Sequence, residues 1–133
     1  MPVFNPPGVA AGNSQQLLFK LSAANLQLTT DQTFTKIYGG SSYAVISILA
    51  RQRSGGATVA CAGGIYDAAS KGGNALVAAT QSWITLASGV IVSATLAALT
   101  GTTLLTNTPI LSLTTGSTGA CTADLYIFGV DLS

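Results

Sequence analysis

The chain has 133 residues, of which 7% are charged: five Lys or Arg, four Asp, and neither Glu nor His, for a net charge of +1. An ordinary soluble domain is about a quarter charged, so this chain has almost no material for acid–base or metal chemistry. A net +1 also argues against binding nucleic acid by neutralising phosphates. The 48% hydrophobic content excludes a disordered chain, and the length is that of one domain with a modest core.

Residues 1–16 read as an extended arm rich in Pro, Gly, Asn and Gln, with Val3 and Phe4 as its apolar anchors. Pro2, Pro6 and Pro7 forbid a helix there, and the segment lacks the basic start and apolar run of a signal peptide. It is either a loose terminus or an arm laid on an adjacent subunit with Phe4 as its peg. From residue 17 onward, short runs of alternating apolar and polar residues are punctuated by Gly-rich turns, the pattern of strands. Strands are expected over 17–28, 32–38 and 43–52, with turns at 39–42 and 51–56. The run 43–52 is apolar on both faces, with Ala44, Ile46, Ile48 and Ala50 opposite Tyr43, Val45, Ser47 and Leu49, which predicts cover on both sides. A strand over 57–67 carries Gly63-Gly64, the sign of a bulge, and 68–74 reads as a hairpin tip. Further strands are expected over 75–80, 82–87, 90–95, 110–115 and 120–130, with a single helical turn at 96–99. Eight to ten short strands without a convincing helix predict an all-β antiparallel sandwich or jelly roll spanning 17–133.

The stretch 72–123 holds no charged side chain. Charge keeps small proteins apart from their copies, and interface cores are depleted in it, so the outside of this protein is expected to be committed largely to neighbours. The run 83–99 is apolar-leaning, but its Thr, Ser and Gly content, its β-branched residues and the absence of basic flanks argue against a membrane span. Cys61 and Cys121 are expected as buried thiols, with an inter-strand disulfide as the alternative; no His is present to activate either one. The carboxylates Asp31, Asp67, Asp124 and Asp131 follow no calcium-loop pattern. Asp124 interrupts an apolar strand, so it either points outward or meets Lys71, Arg51 or Arg53. Arg51 and Arg53 form the only basic pair; they are either a solvated strand end or an anchor onto an acidic patch of a partner. Lys71 reads as an exposed loop-tip lysine. Trp83 and Tyr43 either stack on a sugar or fill a core.

The stretch 63–77 (GGIYDAASKGGNALV), the Thr-rich connection 102–115 (TTLLTNTPILSLTT) and the ending CTADLYIFGVDL together resemble small tailed-bacteriophage capsid decoration, or cement, proteins. The resemblance covers roughly residues 43–131 and carries no catalytic signature. It implies a compact antiparallel β domain on the outside of an icosahedral head. It further implies clustering near symmetry axes, often as trimers, and clamping of neighbouring major capsid protein subunits.

The sequence reading is therefore a non-enzymatic virion protein on the capsid exterior, made in the bacterial cytoplasm. It needs no cofactor or metal and binds neither nucleic acid nor membrane. The expected contacts are Phe4 with the arm, Arg51, Arg53 and the Lys71 tip. The alternatives are a tail or head-fibre component, a self-assembling coat subunit, or a carbohydrate-binding module using Trp83, Tyr43 or Asp124.

Overall fold

The computed structural model describes residues 15–55, 60–84, 86, 89–97 and 103–133. Among these residues nine strands follow in chain order: β1 (Gln16–Asn25), β2 (Gln32–Thr33), β3 (Thr35–Lys36), β4 (Tyr43–Gly55), β5 (Ala62–Ala68), β6 (Gly72–Val77), β7 (Ile91–Ser93), β8 (Ile110–Thr115) and β9 (Cys121–Asp131). They form two antiparallel sheets, one ordered β3-β1-β9-β4-β7 and the other β2-β8-β5-β6. Leaving out the two-residue edge strand β3, the first strand pairs with the last, the second with the penultimate, β4 with β7, and β5 with β6. That nested ribbon of antiparallel pairs, divided between two sheets, is the jelly-roll connectivity.

The expected strand over 32–38 is divided. β2 belongs to one sheet and β3 to the other, with Phe34 buried between them; the chain changes sheets at this corner, a usual way to close a sandwich. Of the expected strand over 82–87, residues 85 and 87 lie outside the described residues, and the described part makes an isolated bridge between Ser82 and Ala62. Trp83 explains the difference: its ring is drawn into the core, its amide donates to the Cys61 carbonyl, and its Nε1–H donates to the Gly63 carbonyl at 3.1 Å. No helical turn forms at 96–97, where Leu96 bridges Val77; 98–99 lie outside the described residues. β1 begins at Gln16, one residue inside the expected arm.

The inner faces of the two sheets meet in a core that includes Leu18, Ile48, Ile65, Leu111, Leu113, Leu125 and Ile127. Each such side chain stabilises the fold by about 1.5–3 kcal/mol when fully buried. At one end Phe19, Tyr38 and Tyr43 meet edge to face, with centroids 4.9–5.7 Å apart. Cys61 and Cys121 are both free and buried. Burial, and then the neighbouring Cys121, push the Cys61 thiol up to about 11, so it is protonated and unreactive near neutral pH.

The central strand β9 has bulges on both sides, at two levels. Near Phe128, β1 carries Leu18 as an extra residue and β4 carries Ile46; near Asp124, β1 carries an extra residue at Ser22–Ala23 and β4 carries Arg53. A lone register slip exchanges the two faces of a strand, but these paired bulges keep β1 and β4 in step with β9. They also reset the faces of β4. Tyr43, Val45, Ile48 and Ala50 point inward, while Ala44, Ser47, Leu49 and Arg51 share the outward side of β9. The upper pair of bulges closes on Gly129, where an added Cβ would lie 1.9 Å from the Ala44 carbonyl oxygen and 2.8 Å from Leu18 Cδ1. Gly129→Ala is therefore expected to lower stability by about 1–3 kcal/mol, read from denaturant unfolding; an unchanged midpoint would show that the bulged strands yield freely.

Candidate docking face

The outer face of the five-stranded sheet gathers side chains that neither the core nor a turn accounts for. Across β1, β9 and β4 the pairings run Leu17–Phe128–Ser47, then Lys20–Tyr126–Leu49, then Asp124–Arg51, with Ile91 of β7 beside Arg51. Leu49, Ala50, Arg51, Ile91, Tyr126 and Phe128 line an open hollow of about 260 Å³. That lies just below the roughly 300–1,000 Å³ of sites that enclose small molecules. Tyr126 and Phe128 stack at 6.4 Å and 26°, and Ile91 is 65% exposed. A second hollow of about 200 Å³, lined by Arg51, Gln52, Gly89, Val90 and Ile91, adjoins the first through Arg51 and Ile91.

Asp124 anchors the basic end of this face. Its side chain is almost fully covered although it sits on the outward side of the sheet. Both lower bulges converge on it. The β1 bulge places Ala23 in the left-handed region, at φ 53°, and aims its N–H at Asp124 Oδ1 over 2.8 Å. The β4 bulge brings Arg53 to Oδ1 at 3.3 Å, and Arg51 approaches Oδ2 at 3.8 Å. Bulges are used in this way to re-aim side chains beside functional sites. Burial alone would raise the Asp124 carboxyl, but the Ala23 amide and the Arg53 guanidinium, helped by Lys20, outweigh it and hold the pKa below its ordinary value.

The balance of charge is uneven. Lys20, Arg51 and Arg53 surround one carboxylate, so this face carries two positive charges in excess. Lys20 lies 5.4 Å from the centroid of the Tyr126 ring, and the guanidinium side chains of Arg51 and Arg53 are 60% and 52% exposed. The remaining charges are distributed elsewhere. Lys71 and Asp31 meet through the Ser112 hydroxyl, which donates to Asp31 at 2.9 Å and accepts from Lys71 at 3.0 Å. Asp67 binds the backbone and side chain of Asn74, and the charge of Lys36 acts on Asp131.

Arg51 and Arg53 therefore share one site, as their spacing suggested, and both meet Asp124. Lys71 does not join them: its ammonium is tethered on the other sheet, against β8. Phe4 lies outside the described residues. Tyr43 and Trp83 are buried in the core, and Asp124 is capped, so the three residues singled out for sugar binding present no ring or open carboxylate to a glycan. The Ser112–Lys71 pair has the elements of a serine–lysine dyad, yet Ser112 is fully buried and its hydroxyl is engaged on both sides. No group of three or more metal-ligating side chains occurs among the described residues, and no helix long and apolar enough to cross a membrane occurs among them.

Sequence reasoning missed Leu49, Ile91, Tyr126 and Phe128. The run Leu125–Val130, apolar on both alternating faces, was the available signal. No protein family, curated protein or solved structure matches the chain.

Asp124→Ala is expected to lower stability by about 1.5–3 kcal/mol, the scale of hydrogen bonds to a charged group; Asp124→Asn, which keeps an acceptor for the Ala23 amide, should cost less. Because the folded-state pKa lies below the unfolded value near 4, the ionised carboxylate contributes stability above about pH 4. That contribution is lost as pH falls through the folded-state pKa. Acid titration of both proteins checks this: Asp124→Asn should lose part of the low-pH dependence, and identical profiles would deny the carboxylate its role.

Proposed function

We propose that this chain is a non-enzymatic structural protein of a bacteriophage virion, bound to the outside of the icosahedral head, where it strengthens contacts between major capsid protein subunits. The observation that carries this reading is the outer face of the β3-β1-β9-β4-β7 sheet. It is a half-buried apolar and aromatic surface beside the exposed Ile91, edged with cations, on a chain with very few charges. Contiguous exposed apolar surface marks interaction sites, and aromatic residues and Arg are the side chains enriched where proteins meet. The jelly roll is used by viral capsid domains, lectins and cupins alike, so the face, rather than the fold, supports the choice. A cupin-like reading would need ligating side chains. A lectin-like reading has lost the residues proposed for it.

The mechanical role follows from interface energy. Packed DNA presses outward on the shell, and a protein touching two or three capsid subunits resists their separation. Specific interfaces bury about 1,600 Å², and repetition over the lattice multiplies the effect. Low charge limits the desolvation cost of such contacts. Association into trimers around a symmetry axis would let each copy bridge several subunits.

Heads assembled without the chain should close normally yet rupture at lower temperature or on milder osmotic shock, as followed by electron microscopy. Tyr126→Ala or Phe128→Ala should reduce occupancy on heads about five- to thirtyfold, corresponding to roughly 1–2 kcal/mol for an interface hot spot, with folding retained. Heads that fail to form would identify a coat subunit, and unaltered heads with defective tails would identify a tail or fibre component; either result overturns the proposal.

A further inference from the structure

We infer that the occupant of this face is a protein segment in which a carboxylate stands beside an aromatic or aliphatic side chain, with the apolar group seated between Leu49, Ile91, Tyr126 and Phe128 and the carboxylate on Arg51. The inference rests on reading the face as a docking surface and specifies what docks there.

Three observations carry it. The first is charge. Asp124 is already bonded to the Ala23 amide and to Arg53, while Arg51 approaches it only at 3.8 Å and remains 60% exposed. A second carboxylate arriving at Arg51 would meet a cation that Asp124 holds loosely, in a field with two positive charges in excess. Arg also offers a planar fork suited to bidentate carboxylate recognition. The second observation is position. Arg51 lines both hollows, and Ile91 lines both with it, so an apolar side chain in the larger hollow places its neighbouring residues within reach of the guanidinium. The third is the mismatch with other occupants. A second copy presented face to face would bring six cations together with only two carboxylates, each already covered. A nucleic acid would gain two net charges but lay its backbone over leucine, isoleucine and phenylalanine side chains.

The test is selection from a random displayed peptide library against the immobilised full chain, followed by titration of the enriched peptide into isotopically labelled protein. The expected outcome is enrichment of peptides with Asp or Glu close to Phe, Tyr, Trp or Leu, and resonance shifts at Leu49, Ile91, Tyr126 and Phe128. Affinity should fall about tenfold when the peptide carboxylate becomes an amide, and by a similar factor in Arg51→Gln, as fits a charge-assisted contact at an exposed rim. Arg51→Gln should leave the unfolding midpoint nearly unchanged, because Arg53 and Ala23 still hold Asp124.

Enrichment that ignores acidic residues, or no enrichment, overturns the inference. So does concentration-dependent dimerisation in the ultracentrifuge accompanied by shifts at the same four residues, which would make a second copy the occupant. Loss of these peptides together with undiminished, face-dependent attachment to heads would discard the partner chemistry alone. Binding of the peptides by a chain absent from virions would discard the virion reading alone.

Discussion

A carboxylate on the outward side of a central strand, kept almost free of water contact, constrains this structure more than any other group. Asp124 would not remain ionised there without donors, because burial disfavours the charged form. The donors come from distortions of both neighbouring strands: Ala23 is held at positive φ in β1, and Arg53 is the extra residue of a bulge in β4. A non-glycine residue at positive φ costs on the order of 1 kcal/mol. The charge-assisted bond made by its amide offsets that cost. Without Asp124 neither distortion has a polar group to satisfy, and Arg51 and Arg53 lose the fixed point that keeps them on one face.

That arrangement also determines where the scarce charge resides. Four of the chain's nine charged side chains lie in a single neighbourhood, and their sum is positive. Beside them the sheet surface is apolar and aromatic. Together they combine what gives an interface its energy, desolvated aromatic area, with what gives it orientation and selectivity, an unbalanced charge at one side.

Much of the architecture was legible in the sequence. Gly-rich turns and alternation marked an all-β sandwich, and Gly63-Gly64 marked an irregularity that is present as a register shift at Ala62/Gly63. The faces of individual strands were less legible, because a bulge adds one residue without altering the apolar content of a run. Ile46 illustrates this: strict alternation places it with Ile48, whereas the bulge leaves it 46% exposed while Ile48 is fully buried. Alternation likewise groups Leu17 with Phe19, whereas the bulge at Leu18 puts them on opposite faces. The prediction that β4 is covered on both sides is met on its inner face; its outer face carries Leu49 at the edge of the hollow. Residue type left Lys71, Arg51 and Arg53 all open as partners of Asp124, and the pairing of β4 with β9 selects the two arginines. The aromatic floor was not legible, since Tyr126 and Phe128 read equally well as core until the pairing of β9 is known.

The chain's single tryptophan has a practical consequence. Trp83 lies inside the sandwich, bonded to the Gly63 carbonyl of β5, and none of the residues lining the two hollows is a tryptophan. Its fluorescence therefore monitors the integrity of the interior and should change little when the Tyr126 side of the molecule is covered, so one intrinsic signal separates loss of fold from engagement of a surface.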